Sequence, residues 1–242
     1  VTYDLPGALH RRGLKVELVP GWETRGVSDL RARGSVSHWT GGPRGTTGRP
    51  SLSVVINGRP DLKGPLCNVY LDRAGVAVVV AARTAQHAGL GGWKGLRYNS
   101  EVFGTEAECA GDGDWTAAQK AAYPKVNAAY CDLGGFGPDM CCGHNEWAPD
   151  RKIDIRDFTM TTMRRGIAAV LAPAPTPVPA HQEDDMFMLH NRRGDLYICG
   201  PGFAEHVNET QDDLRKVLPT YEISDDMCAR IIKGIAATKI QP

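Results

Sequence analysis

Residues 172–185, APAPTPVPAHQEDD, place prolines at 173, 175, 177 and 179 and then turn polar and acidic. Proline has no N–H to give a helix interior or a central strand, so alternating prolines admit neither. The stretch reads as an extended linker of about 40 Å at roughly 3.1 Å per residue. It divides the chain into a large part, 1–171, and a small one, 186–242. Of the 242 residues 42% are apolar and 23% charged, an ordinary globular composition. The longest apolar runs, VAVVVAA at 76–82 and IAAVLA at 167–172, fall far short of the roughly 18 residues that suggest a membrane span. No transmembrane segment is expected.

Charge and cysteine usage narrow the class further. Lys and Arg stand against Asp and Glu as 21 to 17 in residues 1–171 and as 7 to 8 in 186–242. Neither balance supports phosphate-dominated binding, so no nucleic-acid partner is expected. Seven cysteines, at 67, 109, 131, 141, 142, 199 and 228, are an odd number without a C-x-x-C pair. They fit neither a disulfide framework nor a Cys-rich zinc module; most read as reduced, with a bridge from Cys109 to a later cysteine left open. The opening VTYDLPGALHRRG has no basic start followed by an apolar core and a cleavage site, so no secretory signal is expected.

Before the linker, short β-rich runs at 14–19, 35–40, 68–71 and 76–82 mix with helical stretches around 116–132 and 156–171. In the last, Phe158, Met163, Ile167 and Val170 share a helical face, with Asp157 as the expected N-cap. These elements predict an α/β domain with a central mixed β-sheet flanked by helices. Beyond the linker, MFMLHNRRGDLYICGPG reads as two strands around a Gly-containing turn. SDDMCARIIKGIAA reads as a helix capped by its serine, so residues 186–242 are expected to form a small α+β domain.

Two segments carry chemistry. In SVSHWTGG, strand alternation puts Val36, His38 and Thr40 on one face and Ser37 and Trp39 on the other. Taken alone, His38 is an ordinary core or surface histidine. In GHNEWAPDRKIDI, residues 143–155, Lys152 and Asp154 are two apart and leave an extended backbone on the same side. Asp154 can then meet His38 and His144, and two imidazoles with one carboxylate are the ligand set of a catalytic zinc that keeps one position for water. Cys142, two residues before His144, is a rival third ligand. The bland alternative is a solvated Lys152–Asp154 pair on a loop.

SHWTGG and GHNEWAPDRKIDI, with VPGWETRG (19–26) before them and NGRPDLKGPLCN (57–68), QHAGLGGWKG (86–95) and YNSEVFGTEAE (98–108) between them, resemble a known family. It is the zinc-dependent N-acetylmuramoyl-L-alanine amidases related to peptidoglycan recognition proteins, most closely the endolysins of phages infecting actinobacteria. The resemblance covers nearly all of 14–171. It implies one zinc ion held by His38, His144 and Asp154, bacterial peptidoglycan as partner, and hydrolysis of the amide between N-acetylmuramic acid and L-alanine. It gives Glu106 the role of general acid–base and Lys152 that of oxyanion stabiliser, and it places His87 in the wall of the substrate cleft. Thr40, Asn68, Trp93 and Asn99 complete the substrate-binding candidates.

Many relatives carry a tyrosine after the GPL turn; here Cys67 or Asn68 occupies that region and Tyr70 sits later, so that role is not carried over. The resemblance also implies a protein made in the host cytoplasm that acts on the wall after membrane permeabilisation. The 57 residues after the linker are too few for a second complex active site and are expected to bind cell wall. The competing readings are a peptidoglycan-binding protein without activity and an amidase that recycles wall fragments.

Overall fold

The computed structural model describes residues 3–172, 187–191, 196–200, 203–207 and 220–238. The chain forms two compact units, 1–172 and 173–242. The linker residues 173–185 and the expected turn at 192–195 lie outside the described residues.

In chain order the first unit contains α1 (Leu5–Arg11), β1 (Val16–Leu18), β2 (Gly34–Trp39), α2 (Leu52–Asn57) and the two short strands β3 (Gly58–Arg59) and β4 (Leu62–Lys63). There follow β5 (Val69–Leu71), β6 (Ala77–Val79), β7 (Val102–Ala107), α3 (Ala117–Gly134), β8 (Cys141–Gly143), α4 (His144–Trp147) and α5 (Met160–Leu171). Six strands make one sheet in the order β1-β6-β5-β7-β2-β8. Only the β5–β6 pair is antiparallel. This is the mixed sheet flanked by helices that the sequence predicts.

Alternation decides which side each strand residue faces. On β2, Ser35 and Ser37 meet Asn127 of α3, and Trp39 joins the core beneath α1, α3 and α5. Val36, on the opposite face, packs with Ala88, Val102, Cys142 and Trp147. The helical face buries Phe103, Tyr123, Tyr130, Met163 and Ile167. Its helices approach closely because residue 166 is glycine, where a Cβ would lie 3.0 Å from the Pro124 ring.

Thr116 caps α3 in a reciprocal box with Gln119, close to the expected start. The last helix begins later than the sequence suggests. Its N-cap is Thr159, whose side chain accepts from the Thr162 N–H at 3.3 Å. Asp157 instead sits at φ 65° and accepts from the Gly113 N–H at 3.1 Å, so it holds a neighbouring loop, and Phe158 is buried from outside the helix.

Among the described residues none of the seven cysteines is in a disulfide, and all seven are buried. Cys109 Sγ rests against Gly111, and the Cys131 and Cys141 sulfurs lie 3.8 Å apart.

The second unit has a four-stranded sheet, β11-β10-β9-β12, from β9 (Phe187–Asn191), β10 (Leu196–Gly200), β11 (Phe203–Val207) and β12 (Thr220–Ile223). The β9–β10 pair is antiparallel, as expected, and β12 runs parallel to β9. Ser224 accepts from the Met227 N–H at the start of α6 (Asp225–Thr238), whose Cys228 packs with Leu189 and Cys199. Among the described residues no helix is long and apolar enough to cross a membrane.

Candidate active site

Three adjacent parallel strands bring the candidate residues to one edge of the sheet. His38 lies opposite Glu106 in the β2–β7 register, and Ser37 lies opposite Gly143 in the β2–β8 register, so His144 follows beside His38. All sit at or just past the carboxyl ends of these strands, where open α/β sheets place their ligands. Asp154 returns on the segment after α4, its carbonyl receiving the Asn145 N–H.

His38 Nδ1 is 2.8 Å from His144 Nδ1 and 3.3 Å from Asp154 Oδ2, which in turn is 3.1 Å from His144 Nδ1. Tetrahedral zinc with bonds of about 2.0–2.1 Å separates its ligand atoms by about 3.3 Å. The three atoms therefore sit close to three corners of such a site, and all three residues are buried. The charge state agrees. Burial, with His144 adding to it, lowers the His38 pKa to about 4, leaving a neutral imidazole. Burial would raise Asp154, but its close contacts with His144 and His38, 3.1 and 3.3 Å away, outweigh it and keep the carboxylate ionised. Metal ligands must be deprotonated in this way. His38, His144 and Asp154 can thus hold a divalent metal ion.

The rival ligand is excluded by direction. Cys142 is on β8 opposite Val36 and points its sulfur at the Ser35 carbonyl, 3.6 Å away, inside an apolar cluster. His144 is held by its own short helix. Arg164 of α5 forks onto Glu146 with two contacts of 2.8 Å and donates to the Cys141 carbonyl at 3.0 Å, while Glu146 accepts from the Gly143 N–H.

Glu106 belongs to the same site. Its Oε2 is buried and has no hydrogen-bond partner. Burial first, and then the Asp154 charge, push its carboxyl well above the usual range, while Lys152 pulls the other way. A cation between the histidines and Asp154 would oppose the rise as Lys152 does. Lys152 is half-buried and Asp154 buried, with Ile153 between them 58% exposed, so the Lys152 and Asp154 side chains share the inner side.

Of the remaining candidates, Asn68 and His87 are buried, and Thr40, Trp93 and Asn99 are partly exposed. Asn68 is fully buried and spends its amide internally: Nδ2 donates to the Ala81 and Arg83 carbonyls, and Oδ1 accepts from the Gly104 N–H. It ties strands together and leaves no group for a substrate. His87 is buried, with its ring edge-on to His38. Asn99 Oδ1 accepts from the His87 and Ala88 N–H groups. Trp93 donates to the Asp139 carbonyl and packs in the apolar cluster below Arg164.

Thr40 donates to Glu108 at 3.0 Å. Glu108, which the sequence reading passed over, also accepts from the Tyr70 hydroxyl at 2.5 Å and from the Ser51 N–H and hydroxyl at 2.9 Å. It anchors the loop after β2 to the sheet. Its signal in the sequence is its two-residue spacing from Glu106, which puts both carboxylates on one side of an extended strand.

At its strand ends a mixed α/β sheet thus carries a buried His–His–Asp group that could hold a metal ion, beside a glutamate with an unpartnered oxygen. The family described as N-acetylmuramoyl-L-alanine amidase (Amidase_2) matches residues 28–157, more than half of the chain, and the chain belongs to it. Among solved structures, the Staphylococcus aureus hydrolase AmiA in complex with its ligand is 14% identical, with a TM-score of 0.51 over 71% of this chain and 91% of that one. It shares the fold. The endolysin N-acetylmuramoyl-L-alanine amidase LysCS of Clostridium intestinale URNW is 13% identical, with a TM-score of 0.49 over 64% and 95% of the two chains. A selenomethionine derivative of AmpD is 21% identical, with a TM-score of 0.49 over 66% and 94%. A search of curated protein sequences gives no significant match.

Proposed function

We propose that this chain is the zinc-dependent endolysin of a phage that infects actinobacteria. It would be made in the host cytoplasm and reach the wall after the membrane is permeabilised. There it would hydrolyse the amide joining N-acetylmuramic acid to L-alanine in peptidoglycan. One observation carries the catalytic reading: metal-capable atoms of His38, His144 and Asp154 lie within 3.3 Å of one another beside a buried, unpartnered Glu106 carboxyl. The phage and host assignments rest on the runs SHWTGG and GHNEWAPDRKIDI.

A zinc ion held by the three ligands would polarise the carbonyl as a Lewis acid and lower the pKa of water from about 15.7 to about 7. Glu106 takes the proton of the attacking water and returns it to the departing alanine amine. Its surroundings suit both halves of that task, because burial favours the protonated carboxyl while Lys152 favours the ionised one. Lys152 stabilises the negative charge that develops on the carbonyl oxygen. Residues 186–242 hold the enzyme on the polymer and raise its effective concentration there.

The test of the chemistry is digestion of purified actinobacterial peptidoglycan by zinc-loaded and by chelated protein, with mass analysis of the products. Free peptides with an L-alanine amino terminus, appearing only with metal, are expected. Intact glycan–peptide bound tightly by the loaded protein would replace the hydrolase with a binding protein. For the C-terminal unit, a chain ending at residue 179 is expected to pellet less with purified walls than the full chain. Equal pelleting would end the targeting role.

A further inference from the structure

The sequence resemblance places His87 in the substrate cleft, but the residue is only 9% exposed and both ring nitrogens meet buried partners. His87 Nδ1 lies 3.0 Å from His38 Nε2, and His87 Nε2 lies 3.3 Å from the Val102 carbonyl. A carbonyl can only accept, so His87 carries its proton on Nε2 and leaves Nδ1 bare. That bare nitrogen can only accept, so His38 carries its proton on Nε2. The Nδ1 lone pair of His38 is then free, and it points at His144 and Asp154. The neighbouring residue does the same for the second histidine: the Ala88 carbonyl, 3.0 Å from His144 Nε2, takes that proton and frees the His144 Nδ1.

We infer that His87 is a positioning residue, which sets the tautomer and ring orientation of His38 from behind, and that His87 and Ala88 together aim both imidazole lone pairs at one point. The inference rests on the metal reading of the site and extends it to residues that touch neither metal nor substrate. Two further features show that the segment is built for this. Asn99 Oδ1 accepts from both the His87 N–H, at 3.3 Å, and the Ala88 N–H, at 2.9 Å, so one side chain fixes the ring of one residue and the carbonyl of the next. Gly104 clears the space: a Cβ there would lie 2.5 Å from the His87 ring. Arg151 adds a hydrogen bond to the Ala88 carbonyl at 3.0 Å. Groups that orient a metal-bound histidine through its second nitrogen commonly hold 10- to 100-fold in metal affinity.

The test uses the full chain, zinc titration against a chromophoric chelator, and two-bond proton–nitrogen correlation spectra of 15N-histidine-labelled protein. In metal-free wild type, His38 is expected as the Nε2–H tautomer; an Nδ1–H tautomer would overturn the inference. His87→Leu, which can accept no hydrogen bond, is expected to bind zinc about 10- to 100-fold more weakly and to lose that uniform tautomer. His87→Gln, whose amide can accept from His38 and donate to Val102, is expected to recover most of the affinity. Wild-type affinity in a folded His87→Leu protein would overturn the role. If His87→Leu does not fold, His87→Gln with affinity as low as that of Asn99→Ala would do so as well. Wild type that binds no zinc while His38 shows the Nε2–H tautomer would instead refute the metal reading and leave the hydrogen-bond chain standing.

Discussion

Glu106→Gln is expected to keep a full complement of zinc and to lose about 100- to 10,000-fold in turnover of peptidoglycan, the usual worth of a general acid–base. Glutamine has nearly the same size and shape but can neither accept the water proton nor deliver it. The structure separates this loss from a folding defect. The wild-type carboxyl is buried with an oxygen that has no partner, and burial holds it toward the neutral form. A neutral amide therefore costs the folded state little, and the thermal midpoint of the metal-free variant is expected within a few degrees of wild type. Activity within a few-fold of wild type would remove Glu106 from the chemistry. A matching loss of zinc would recast it as part of the metal site.

His144→Ala is expected to lose both zinc and activity. It removes one corner of the three-atom site, and it leaves Asp154 buried with one of its two imidazole partners gone. Elemental analysis after dialysis should fall from one zinc per chain to near none. Stability supplies a second readout. A ligand that binds only the folded state adds about 4.1 kcal/mol when present at 1,000 times its dissociation constant, so zinc should raise the wild-type thermal midpoint and leave that of His144→Ala unmoved. Zinc-dependent stabilisation that survives in the variant would mean that the ion sits elsewhere. Together the two variants separate holding the metal from moving the proton, and equal zinc loss in both would undo the division of roles.

Several features were legible because they are local. The alternation in SVSHWT sends Val36 and His38 to one face and Ser37 and Trp39 to the other, and the structure places Ser37 against Asn127 and Val36 against Trp147. The helix near 116–132, the mixed sheet and the helix-flanked architecture follow from the same periodicities. The last helix starts two residues later than the sequence suggests, because the Asp157 side chain is engaged elsewhere. Asp157 is used by the Gly113 N–H, and Thr159 is left to cap the helix.

Other features depend on contacts far along the chain. Asn68, Trp93 and Asn99 look alike in sequence, as polar or aromatic residues near glycines, and only the fold shows where their polar groups are spent. His87 reads as a cleft residue until the close approach of β7 at Gly104 brings it behind His38. Cys142 and Asp154 compete as ligands on paper, and the β8 register turns the sulfur into an apolar cluster.

The sequence by itself determined which chemistry is available: two histidines, an aspartate, a glutamate and a lysine in an order that resembles one amidase family, with His38 on a run whose alternation reads as a strand. The tertiary structure alone decided which of those groups converge, in what protonation state, and what stands behind them. The reason is physical. Side-chain direction repeats every two or 3.6 residues and can be read locally, whereas burial, lone-pair direction and a proton's place on an imidazole are set by neighbours 49 and 106 residues away.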